Sequence, residues 1–162
     1  MSYPSKLQSM IDMFAPFDPH DRTNMLLSYA DQFREVPREV ATRPFAKSHQ
    51  IPQCESDAYA WAMQQPDGTL KLWFAVENPS GVSAKALAAI LDKTLSGLSP
   101  EEIAQVDAAI VEKLFRQNIS MGKGMGLMSM VEAVRSLAKA ANRTRSPDES
   151  GQRDSRRDGD VQ

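Results

Sequence analysis

A single cysteine, Cys54, stands in the run Ile51-Pro52-Gln53-Cys54-Glu55-Ser56-Asp57-Ala58-Tyr59. One thiol closes no internal disulfide, and with only two histidines in the chain it anchors no zinc site. It can still work as a lone nucleophile or a sulfur carrier, because the thiolate is the reactive form of cysteine. The structural reading is a small buried hydrophobe, a common role for free cysteine. Polar neighbours Gln53, Glu55, Ser56 and Asp57 argue against deep burial, and Pro52 stiffens the approach. The charges of Glu55 and Asp57 oppose a thiolate, whereas Lys47 and His49 would favour one if the fold brought them near. Such a site suits an acceptor that becomes reactive when a partner completes its electrostatics.

Other constellations are thinner. A cysteine–histidine hydrolase would need His20 or His49 as base, but His20 falls in the first turn of an expected helix and no G-x-S-x-G elbow accompanies either. Gly122-Lys123-Gly124-Met125-Gly126 satisfies neither phosphate-binding fingerprint and reads as a flexible turn exposing Lys123. Of the nine methionines, Met121, Met125, Met128 and Met130 cluster around that turn. Most methionines should fill the core, and a few exposed ones would form an adaptable docking surface. No metal or cofactor site is expected.

The elements that must position Cys54 follow from periodicity. Leu7, Met10, Ile11 and Phe14 mark one face of a first helix, ended by Pro16. Asp18-Pro19-His20-Asp21 starts a second, with Met25, Leu26, Tyr29, Ala30 and Phe33 as its stripe. From Val36 to Ile51 the periodicity fails, giving an extended loop that leads to Cys54. Tyr59, Trp61 and Met63 then alternate with Ala58, Ala60 and Ala62. Pro66-Asp67-Gly68 turns the chain, and Leu70, Leu72, Phe74 and Val76 alternate on the return strand of an antiparallel hairpin. Cys54 should lie at the rim of this sheet.

The remainder reads as helical. Leu87, Ile90, Leu91 and Leu95 mark a helix that stops near Gly97. Ser99-Pro100-Glu101-Glu102 forms a capping box for the next, with a break at Asp107, and Leu127, Val131, Val134 and Ala138 mark the last. The domain is expected over residues 1–142. Residues 143–162 mix arginine with aspartate and glutamate, nearly without apolar residues, and read as a disordered polar tail.

The chain has 162 residues, 41% hydrophobic and 25% charged, enough for one domain with a sizeable core. A net charge of −2 argues against a nucleic-acid or electrostatic membrane footprint. No apolar run approaches the roughly 20 residues of a membrane span, and Met1–Lys6 lacks the pattern of a secretory signal. One unpaired cysteine fits a reducing compartment, so a cytoplasmic protein is expected, or a processed organellar one.

The segment around Cys54 resembles the cysteine motif of the SufE family, the sulfur-accepting partners of cysteine desulfurases. Ile51, Cys54, Ser56 and Tyr59 match its branched aliphatic residue, acceptor cysteine, serine and aromatic strand, while Gln53 stands where glycine is usual. The helix start at Leu98–Ile103 is similar to the family's, and Lys123, Gly126 and Leu127 align with its pattern of a basic residue, usually arginine, before Gly-Leu. The resemblance runs from Leu7 to Ala141.

It implies an α+β fold like that of IscU-type scaffolds, with a small antiparallel sheet packed against several helices. It also implies a sulfur carrier, not itself an enzyme, with Cys54 as persulfide acceptor and Ser56 and Lys123 as candidates for loop support and docking. The expected partners are a SufS- or CsdA-type desulfurase, which carries the PLP, and a downstream Fe–S scaffold or other sulfur acceptor. The rival function is a non-catalytic adaptor that binds through its methionine-rich surface.

Overall fold

The computed structural model describes residues 3–157, with side chains through Thr144. Ser5–Phe14 form α1 and bury Leu7, Ile11 and Phe14. Asp18 caps α2 (Pro19–Asp31), its carboxylate accepting the Asp21 N–H at 2.7 Å. Of the expected α2 stripe only Leu26 is buried, and Phe33 lies beyond the helix. The deepest α2 side chain is a charged one, Arg22, 1% exposed. Its guanidinium donates to the carbonyls of Phe14 and Leu114, both at 2.7 Å, and more loosely to those of Phe17 and Lys113. It therefore ties the end of α1 to the end of α5 (Ala109–Phe115) by satisfying carbonyls that helices leave free.

The expected hairpin is present as β1 (Ala58–Gln64) and β2 (Leu70–Val76), antiparallel, with Ala58 opposite Val76, Ala60 opposite Phe74 and Ala62 opposite Leu72. Small residues on β1 thus face large ones on β2 across the core side of the sheet. That leaves room for helices to pack close to β1. The aromatic residues of β1 point the other way. There the loop from Val36 to Ile51 lies over them as a cover, with Val36 and Phe45 packing on Trp61 and Tyr59. The loop pairs with both strands: the Val36 N–H donates to the Phe74 carbonyl at 2.8 Å, and Gln50 bridges Tyr59. An extended connection was expected; the exposed aromatic face of a two-stranded sheet instead draws the loop onto itself.

Helix α3 (Val82–Leu95) packs against α1, α2, β2 and α6 (Met121–Arg157) and supplies much of the core. Ser99 caps the short α4 (Pro100–Ile103), and the break expected at Asp107 separates α4 from α5. The fold class is α+β. Two features differ from expectation. The glycine-rich segment 122–126 is the first turn and a half of α6 and not a flexible joint, because Ser120 receives the Lys123 N–H on its hydroxyl and the Gly124 N–H on its carbonyl. The backbone of α6 also stays helical through Arg157, where a disordered tail was expected from residue 143. Propagating an existing helix costs less than nucleating one. Residues 158–162 of that segment lie outside the described residues. Among the described residues no helix is long and apolar enough to cross a membrane.

Candidate functional site

Cys54 occupies a short excursion between the Gln50–Tyr59 bridge and the body of β1, at the rim of the sheet. The Ile51 N–H donates to the Ala58 carbonyl at 2.8 Å and closes the base of the excursion. The Asp57 N–H turns back to the Cys54 carbonyl at 3.2 Å, and the Asn78 N–H donates to the Ser56 carbonyl at 3.1 Å. Two non-glycine residues flanking the cysteine adopt left-handed backbone, Gln53 at φ 59° and Asp57 at φ 49°. Such conformations cost an L-residue roughly 1–2 kcal/mol relative to a right-handed one. Gln53 is the position where the resembling family usually has glycine, and the positive φ supplies the reason. Gln53→Gly is therefore expected to stabilise the protein by up to about 1 kcal/mol, after glycine's own chain entropy is subtracted. Chemical denaturation checks this, as a midpoint shift at unchanged slope.

The loop rests on the first turns of two helices. A Cβ added at Gly126 of α6 would stand 3.1 Å from the Gln53 carbonyl oxygen and 3.4 Å from Cys54 Cα. One added at Gly81, the N-cap of α3, would stand 2.8 Å from both Ser56 Oγ and Val76 Cγ1. A side chain at Gly81 would need the Ser56 and Val76 side chains to shift, and one at Gly126 would need the Gln53 carbonyl to give by a few tenths of an ångström.

The thiol is half-buried and packs against the core. It sits between two recesses. One is a pocket of about 160 Å³ lined by Ser56, Gly81, Val82, Lys123, Gly126 and Leu127 among others. The second is open, bounded by Lys47, Gln50, Pro52 and Gln53. The first pocket is thus walled by the N-terminal turns of α3 and α6, whose dipoles favour negative charge there, and by Glu55, whose carboxylate opposes it. Lys123 is exposed at its edge and forms no ion pair among the described residues.

Of the expected site residues, Cys54, Ser56 and Lys123 therefore meet in one pocket. Lys47 reaches only the open side, and neither histidine borders Cys54 on either. His49 Nδ1 donates to the Ala60 carbonyl at 3.0 Å while its ring stacks on Trp61. His20 is held near Asn24 on α2. The cysteine–histidine hydrolase lacks its base. Sequence reasoning missed the α3 wall that begins at Gly81. Its signal was the glycine immediately before a helix, which also marks a close backbone approach. Among the described residues no group of His, Cys, Asp and Glu is placed to hold a metal ion.

Residues 8–138 match the family model described as SufE, an Fe-S metabolism associated domain. The solution structure of a hypothetical protein from Thermus thermophilus superposes with a TM-score of 0.68. It is 23% identical over 86% of this chain and 98% of its own, a likeness of fold. No curated protein matches the chain.

Proposed function

Because the chain belongs to the SufE family of Fe-S metabolism associated domains, we propose that it is a sulfur carrier that takes persulfide sulfur from a cysteine desulfurase. The observation that supports this most is the half-buried Cys54 between an open approach and a narrower pocket walled by two helix N-termini. In the exchange, the Cys54 thiolate attacks the outer sulfur of the donor's persulfide. A new S–S bond forms at Cys54, the donor's S–S bond breaks, and its electron pair leaves on the donor cysteine as thiolate. Sulfur moves without net oxidation, so no external oxidant is consumed.

This chemistry needs alignment and access more than a resident base, which fits a thiol with no histidine beside it. The pocket shelters the terminal sulfur after transfer, with the two helix dipoles favouring its negative charge against the opposing charge of Glu55. Lys123 contributes a further positive charge at the mouth, and Ser56 supports the loop against Gly81. Removal of the enzyme-bound persulfide in this way accelerates the desulfurase, and the loaded carrier passes sulfur to an Fe–S scaffold or another thiol acceptor in the cytoplasm. The PLP belongs to the donor.

Incubation with a cysteine desulfurase and L-cysteine, followed by non-reducing mass spectrometry, is expected to map one additional sulfur atom to the peptide containing Cys54. Sulfur found on no peptide, with the desulfurase turning over, would refute the reading.

A further inference from the structure

Among the described residues, only Cys54 and Glu55 line both recesses at the thiol. The cations nearby each reach one side: Lys123, from α6, borders the narrower pocket, and Lys47, from the loop over the sheet, borders the open one. Asp57 lines neither, and α3 brings uncharged side chains, those of Val82, Ser83 and Ala84. Glu55 is exposed and forms no ion pair among the described residues. Its Oε1 stands 3.9 Å from where a Cβ at Gly122 would lie, so the carboxylate rests on the first turn of α6. A helix start favours an anion, and here the anion it holds is a resident one. The α6 dipole therefore keeps a negative charge beside the thiol, on the ground that a thiolate would otherwise have to itself.

We propose that Glu55 is the specificity residue of sulfur acquisition: it restrains the thiolate in the free carrier and is answered by a cation on the sulfur donor. This rests on the carrier reading and names the charge that the donor must bring. Because Glu55 flanks the thiol on both sides, a donor that brings its persulfide to Cys54 through either recess meets this carboxylate. Left unpaired in that complex, Glu55 would stand beside the attacking Cys54 thiolate and the donor cysteine that leaves as thiolate. Like charges brought together in this way cost binding. An arginine or lysine on the donor removes the repulsion, and the helix dipoles with Lys123 then act on the thiolate unopposed. An electrophile or protein without that cation meets a restrained thiol, and an acidic partner is turned away.

The test removes the charge and reads two rates that should move in opposite directions. Glu55→Gln should react with iodoacetamide about twofold faster than wild type at about pH 7. A like charge about 6 Å away through water disfavours an anion about threefold, and a weaker nucleophile offsets part of the gain. No acceleration should remain at about pH 10.5, where the thiolate is nearly complete in both proteins. Sulfur loading by the host's cysteine desulfurase and L-cysteine, followed by mass spectrometry at subsaturating desulfurase, should instead slow about threefold. For Glu55→Lys it should slow about tenfold, as loss or reversal of a matched charge lowers the encounter rate. Salt at about 0.5 M should shrink both losses. Glu55→Asp should restore both readouts. Glu101→Gln, which removes the same charge from α4 outside both recesses, should leave both at wild-type values. Alkylation of Glu55→Gln no faster than wild type, or loading undiminished, overturns the proposal and leaves the carrier reading standing while wild type accepts sulfur. A wild-type protein that accepts no sulfur sinks both.

Discussion

Replacing Cys54 with serine is expected to abolish sulfur acquisition while leaving the fold intact. The substitution is close to isosteric at a half-buried position, so the stability change should stay within about 1 kcal/mol. Its effect on chemistry is of another order. Persulfide exchange proceeds through a thiolate, and a serine hydroxyl neither ionises near neutrality nor forms the sulfur–sulfur bond that holds the cargo. Sulfur on the variant should fall below detection, and the desulfurase should return to the rate it shows alone. Binding to the desulfurase should survive, because the substitution leaves the shape of the surface around the site unchanged. A serine variant that stimulates turnover as well as wild type would leave Cys54 incidental and favour an adaptor that acts by contact alone.

The second large effect is expected far from the thiol. Arg22→Met should destabilise the protein by about 3–5 kcal/mol, since two tightly bonded buried carbonyls, those of Phe14 and Leu114, lose their donor. In a domain of this size that lowers Tm by about 10 °C. Burial, with Arg116 nearby, holds the guanidinium below the ordinary arginine pKa, but arginine remains charged at any working pH. Arg22→Lys keeps the charge and loses the fork that reaches two helix ends at once, so it should recover only part of the loss. Thermal unfolding of the three proteins checks this; equal Tm values would mean that the ends of α1 and α5 hold together without Arg22.

The hairpin and helix starts were legible because they rest on local rules. Asp18 and Ser99 cap the helices they were expected to cap, and the alternation at Ala58–Met63 specifies a strand. The choice of core face was not local. On β1 the buried face carries the alanines, and the aromatic face is covered by a loop whose own sequence shows no periodicity. Arg22 was illegible for the opposite reason. A charged residue in an amphipathic helix normally faces solvent, and only the meeting of two helix ends makes a buried position for it. At the site, the polar neighbours of Cys54 argued against deep burial, and a strand that begins only after it placed it at the sheet rim. The pocket could not be read, because Gly81 and Gly126 are 45 residues apart in sequence and meet only through tertiary packing.

Those two glycines decide what would happen if the cysteine segment were moved into another protein. Copied alone, residues 51–58 would carry the nucleophile but not the bed it lies on. An ordinary side chain beneath Gln53 or Ser56 would crowd the segment against its support. A working graft must import the beginnings of α3 and α6 at the same spacing, so the transplantable unit is a tripod of three chain segments.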